Sequence, residues 1–201
     1  DSARISRGIF QVHNQGFNLK KIILECLDTV KNAAKVRNNK LQVEFQGKQD
    51  IVSDPQRIKQ ILLNFLSNSI KFTKDGKISV IASNEDGVVH MKVKDTGNGI
   101  KPEHVSQIFE KYKSDRTSGE NSKGIGLGLF ICKTLIELLG PKDSIHVSSD
   151  LGVGTEIEFS INDLSAPKRS LMKLPILKKN HNPKKTPTIF QINESFQQIS
   201  I

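Results

Sequence analysis

The chain has 201 residues, 36% hydrophobic and 25% charged, with a formal net charge of +9. These totals suit one globular domain with extensions, and no apolar run approaches the roughly 18 residues needed to cross a bilayer. The charge is lopsided: residues 164–201 hold seven Lys or Arg against one Glu, which leaves +3 for the preceding 163 residues and little support for a nucleic-acid role of the folded part. The chain begins at Asp1 and shows no signal peptide, so it reads as a piece of a longer protein. Cys26 and Cys132 lie in apolar, helical contexts without a CxxC partner. Buried thiols in a reducing compartment are expected of them, not a metal site.

In chain order, residues 1–16 are short and polar and could end a helix begun upstream. Residues 20–38 place Ile22, Ile23, Leu27, Val30 and Ala34 on one stripe, an amphipathic helix. Residues 41–45 alternate as a half-buried strand does, and 50–53 form a second short strand. Asp54 and Pro55 then start a helix that runs to about Phe72. Its apolar face is Ile58, Ile61, Leu62, Phe65 and Leu66; a polar stripe of Gln60, Asn64, Asn68 and Lys71 shares the same helix. Residues 77–83 and 88–94 form a hairpin around Gly87. It leads into the glycine-punctuated loop Asp95-Thr96-Gly97-Asn98-Gly99-Ile100. Pro102 opens a short helix through Ile108 and Phe109, and 113–123 make a polar loop. An apolar helix follows to about Leu139, stopped by Gly140-Pro141. Residues 145–149 and 155–161 close the domain as a strand pair. Hairpin strands beside three helices argue for a two-layer α/β sandwich and against a doubly wound sheet. The Lys- and Pro-rich stretch beyond 164 reads as a linker.

Three places carry possible chemistry. Lys123-Gly124-Ile125-Gly126-Leu127-Gly128-Leu129 runs glycines at alternate positions into a helix, where bare peptide N–H groups and the helix dipole can seat phosphate. It is neither the dinucleotide fingerprint nor a P-loop, and a flexible turn is the bland alternative. Asp95, at a strand end, either accepts a hydrogen bond from an exocyclic amine or merely shapes its turn. Asn64 and Asn68 either offer neutral oxygens to Mg²⁺ or face solvent. Lys71 could reach a phosphate, and Phe72 either lies against a base or joins the core. The five histidines are scattered and assemble no catalytic or metal-binding pattern.

Taken together these stretches resemble a family. Asn64-Phe-Leu-Ser-Asn68-Ser-Ile-Lys71-Phe72 resembles the N box of sensor histidine kinases, and Asp95-Thr-Gly-Asn-Gly99 their G1 box. Ile108-Phe109-Glu-Lys-Tyr112 is similar to the F box, Gly124 to Leu129 to the G2 box, and Gly152-Val-Gly-Thr155 to the closing Gly-Thr block. The order is right over about residues 50–160. The resemblance implies the Bergerat fold shared with DNA gyrase B, MutL and the large heat-shock chaperones. That fold is an α+β two-layer sandwich, with a mixed sheet of about five strands packed on three main helices. It implies that Asp95 binds the adenine amine, with Gly97, Gly99 and Ile100 closing over the ring. Asn68, with Asn64 nearby, would hold Mg²⁺. Lys71 and the backbone of Lys123, Gly124, Ile125, Gly126, Leu127, Gly128 and Leu129 would take the phosphates. Phe72 and Tyr112 would flank the nucleotide, Thr155 would support the adenine side through a hydrogen-bond network, and 113–123 would be the ATP lid.

The expected layout is therefore a dimerisation-helix end and linker at 1–16, an ATP-binding domain at 17–163 and a basic tail at 164–201. The family's phosphoacceptor His lies on a dimerisation helix, and none of the five histidines here has its His-Glu context. Three functions compete: a histidine kinase ATP-binding domain, a Bergerat ATPase, and a nucleotide-sensing module without transfer. Bergerat ATPases carry a water-activating Glu one helical turn before the Mg²⁺-binding Asn. Here that position is Asn64, an amide that cannot act as a general base. The kinase reading implies ATP and Mg²⁺ as ligands. Its partners would be a histidine-containing dimerisation domain and a response-regulator receiver domain, with a homodimer in the full-length protein and no nucleic acid. It also implies a cytoplasmic domain, whether or not the parent protein is anchored in a membrane.

Overall fold

Residues 11–110 and 127–165 are described by a computed structural model. Tyr112, Lys123, Gly124, Ile125 and Gly126, the expected lid at 113–123, residues 1–10 and the tail beyond 165 lie outside the described residues. In order, the elements are β1 (Gln15–Asn18), α1 (Leu19–Val36), β2 (Lys40–Gly47), β3 (Asp50–Ser53), α2 (Pro55–Phe72), β4 (Lys77–Glu85) and β5 (Val88–Asp95). Then come α3 (Pro102–Val105), α4 (Gly128–Leu139), β6 (Ile145–Asp150) and β7 (Gly154–Asn162).

Helix α2 is the spine. Asp54 caps it, one carboxylate oxygen accepting from the N–H groups of Gln56 at 3.0 Å and Arg57 at 3.1 Å, and Pro55 supplies the first turn. Ile58, Ile61, Leu62, Phe65 and Leu66 are all buried, each contributing roughly 1.5–3 kcal/mol relative to exposure. They meet the inward side chains of the sheet, where Phe65 stands edge-on to Phe159 with ring centroids 5.6 Å apart. Helices α1 and α4 both pack on α2. The polar stripe of α2 is thereby left on the side away from the core, with Asn64 and Asn68 half-buried.

The main sheet has the order β2-β4-β5-β7-β6, with β2 and β4 parallel and the other pairs antiparallel. One face takes the helices. The other carries cross-strand ion pairs of Lys92 with Glu156 and Glu158, and of Lys94 with Glu156. The architecture is the expected α+β sandwich with a mixed five-stranded sheet.

Strand pairing departs from a set of simple hairpins. β2 joins β4 in parallel, with α2 in the crossover, while β3 leaves the main sheet and pairs antiparallel with β1. The last two residues of the segment expected to be a polar linker thus belong to a strand that runs on to Asn18. Gln15–Asn18 has only Phe17 as an apolar residue, so no alternation announces it; the ladder to β3 holds it extended. The His13 N–H, bonded to the other oxygen of Asp54 at 2.9 Å, ties the preceding residues to the start of α2. Asn18 then accepts from the Lys21 N–H at 3.0 Å and starts α1 at Leu19. The short helix after Pro102 ends at Val105 and continues as turns to Glu110.

Candidate functional site

Asp95 closes β5 and is 8% exposed. A buried carboxylate is tolerated only when hydrogen-bonded, and here the partners converge from three elements. Oδ1 accepts the Gly97 N–H at 3.0 Å and the Thr155 N–H at 3.3 Å, and Oδ2 accepts the Ser69 hydroxyl at 2.9 Å. A carboxylate has about four acceptor positions, so Oδ2 retains room for a further donor such as an exocyclic amine. The hydroxyls of Thr155 and Ser149 are 2.9 Å apart, and Ser149 Oγ accepts the Ile100 N–H at 2.8 Å. Asp95, Gly97, Ile100 and Thr155 thus belong to one network, with Gly99 seated against Asp150. Gly97 is required by close approach: a Cβ there would lie 2.5 Å from the Phe72 carbonyl oxygen.

Two members of this network escaped the sequence reading. Ser69 is 6% exposed on the sheet-facing side of α2, and a hydroxyl within an otherwise apolar stripe was its one local signal. Ser149 sits in β6 with no such signal.

The second group stands on the polar stripe of α2. Asn68 donates to Asn64 Oδ1 at 3.2 Å, leaving Asn68 Oδ1 without a donor among the described residues. Lys71 Nζ lies 5.0 Å from the Phe72 ring centroid, a cation–π contact. Phe72 is 46% exposed, which rules out its core alternative. Helix α4 begins at Gly128, directly against Asn64: a Cβ on Gly128 would lie 2.4 Å from Asn64 Nδ2. Its N-cap, Leu127, gives no side-chain cap, and the positive end of a helix dipole favours an anion. Leu127 and Leu129 are half-buried, Leu129 packing on the core.

The donor set fits magnesium carried by a phosphate chain. That ion takes a few neutral or anionic oxygens besides phosphate and water, and Asn68 Oδ1 is a neutral oxygen without a donor among the described residues. Among the described residues no three His, Cys, Asp or Glu gather where they could hold a metal. Burial raises the thiol pKa to about 11 at Cys26 and about 12 at Cys132, both free. A concavity of about 420 Å³ opens on the outer face of the sheet, by His90, Lys92, His146 and Glu158. Its Lys92 is already paired with Glu158 and its His90 bonded to Ser160. No helix among the described residues is long and apolar enough to cross a membrane.

Comparison with known proteins agrees with this geometry. A family described as Histidine kinase-, DNA gyrase B-, and HSP90-like ATPase matches residues 53–164, more than half of the chain. Hybrid signal transduction histidine kinase B of Dictyostelium discoideum is 32% identical over 169 residues, covering 80% of this chain and 8% of that protein. Sensor protein SrrB of Staphylococcus aureus is 42% identical over 104 residues, covering 51% of this chain and 18% of that protein. Full-length ShkA, crystallised in complex with AMPPNP, shares the fold with a TM-score of 0.69 at 28% identity, over 79% of this chain and 33% of that chain. The chain spans less than a fifth of the two relatives. It belongs to the histidine kinase-, DNA gyrase B- and HSP90-like ATPase family, as an ATP-binding domain of the histidine kinase kind.

Proposed function

We propose that this domain binds Mg-ATP and presents its γ-phosphate to a histidine of a separate dimerisation domain. The observation that carries the reading is the Asp95 carboxylate, buried, fixed by Gly97, Thr155 and Ser69, and still able to accept a purine amine. Gly97, Gly99 and Ile100 line the base and Thr155 steadies Asp95. Asn68, assisted by Asn64, holds magnesium, which neutralises phosphate charge. Lys71 and the backbone of Lys123, Gly124, Ile125, Gly126, Leu127, Gly128 and Leu129 take the phosphates, while Phe72 and Tyr112 flank the nucleotide. The lid is 113–123. The incoming imidazole nitrogen attacks the γ-phosphorus and ADP leaves. The domain's share of the work is orientation and charge neutralisation, as in phosphoryl transfer generally.

The AMPPNP bound by ShkA supports the nucleotide, and the kinase relatives support transfer. Hydrolysis is the second reading. Against it stands Asn64, whose amide donates and accepts but takes no proton from water. The proposed boundaries are a dimerisation-helix end and linker at 1–16, the ATP-binding domain at 17–163 and a tail at 164–201 leading to a receiver domain, with the whole protein a homodimer and this domain in the cytoplasm. The test supplies labelled ATP and magnesium with a separate kinase dimerisation domain. Phosphate on that domain's histidine is expected; free phosphate release without it would favour the ATPase reading. Salt-sensitive DNA binding would overturn the linker reading of the tail.

A further inference from the structure

Asn39 belongs to none of the nucleotide-binding motifs and precedes the stretch matched by the family, yet it is 8% exposed and uses both ends of its amide. Its Nδ2 donates to the Thr73 carbonyl at 2.9 Å and its Oδ1 accepts the Gly76 N–H at 3.1 Å. Asn38, at a φ of 55°, turns the chain out of α1 and aims Asn39 at this turn. Arg37 Nε donates to the same Thr73 carbonyl at 2.9 Å. The turn that follows α2 is therefore held from behind.

Its front face is the Asp95–Asn98 loop. The Phe72 carbonyl, one residue before Thr73, accepts the Asn98 N–H at 3.1 Å, and Gly97 packs on Phe72 O and Thr73 Oγ1. Gly97 in turn donates to Asp95. We infer that Asn39 is a positioning residue for the purine half of the site, setting the Gly97–Asn98 loop through the 73–76 turn; this rests on the nucleotide reading above. The requirement is for an amide. Aspartate keeps an acceptor for Gly76 but sets an anionic oxygen against the Thr73 carbonyl, and leucine makes neither bond.

The test compares wild type, Asn39→Asp and Arg37→Gln by calorimetric titration with AMPPNP at a temperature where each is folded. Thermal melts and ¹⁵N amide spectra of the free proteins accompany the titrations. Asn39→Asp is expected to weaken AMPPNP roughly tenfold and Arg37→Gln roughly threefold. The Gly97 and Asn98 amides shift in both variants while that of Gly87, at a distant hairpin tip, stays. A lower Tm with unchanged AMPPNP affinity would make Asn39 a merely structural residue and overturn the inference. Should Asn39→Asp not fold, unchanged affinity in Arg37→Gln would overturn it. Failure of the wild type to bind AMPPNP would instead strike the nucleotide reading, and unshifted Gly97 and Asn98 amides in the variants would separately overturn the positioning role of Asn39.

Discussion

The two halves of the site are built differently. Around Asp95 the partners are in place without a ligand: three donors reach the carboxylate, and Thr155, Ser149 and Ile100 are chained behind it. Along the polar stripe of α2, Asn64 and Asn68 bond each other and Lys71 rests over its neighbouring ring. The difference follows from burial. An anion taken out of water must be hydrogen-bonded by the scaffold, whereas half-exposed amides and an exposed ammonium remain hydrated at little cost. On the proposed reading, recognition of the base is thus fixed in advance, and the grip on the phosphates is completed by what they bring.

Substitutions should separate the halves. The largest effect is expected from Asp95→Asn, which keeps acceptors for Gly97 and Thr155 but turns an amide donor toward the purine amine. AMPPNP affinity should fall about a hundredfold in a calorimetric titration while the fold persists; binding within a few-fold of wild type would remove Asp95 from the purine role. Asn68→Ala should forfeit roughly tenfold of the affinity that magnesium adds and leave magnesium-free binding intact, which titrations with and without the ion distinguish. Equal losses under both conditions would blur the two halves into one. Gly128→Ala forces a methyl group to within 2.4 Å of Asn64 Nδ2. Displacing that amide should cost about 1 kcal/mol of stability and about threefold in triphosphate affinity, with adenosine binding unaffected. The smallest expected effect has the opposite sign. Among the described residues, Thr73 Oγ1 is the one buried side-chain polar atom without a hydrogen bond, so the isosteric Thr73→Val should raise stability by about 1 kcal/mol in urea denaturation. A lower midpoint there would mean that the hydroxyl has a partner after all.

Much of this molecule could be read along the chain. The Asp54-Pro55 start of α2, its apolar stripe, the strand alternation and the residues Asp95, Asn64, Asn68 and Gly128 are local patterns, set by the pitch of a helix, the pleat of a strand and the chemistry of a cap. Phe72 was legible as a residue but not as an environment, because only the turn behind it shows that its ring stays outside the core. β1 was missed because its extended form depends on a ladder to β3, more than thirty residues on. The same holds for the parallel run of β2 beside β4, for Ser69 reaching Asp95, and for Asn39 reaching Thr73. The sequence by itself determined every described element but β1, the core face and the motif residues of the candidate site. The tertiary structure alone decided which buried donors meet which acceptors, because those hydrogen bonds join segments far apart in the chain and leave no period, cap or motif in either one.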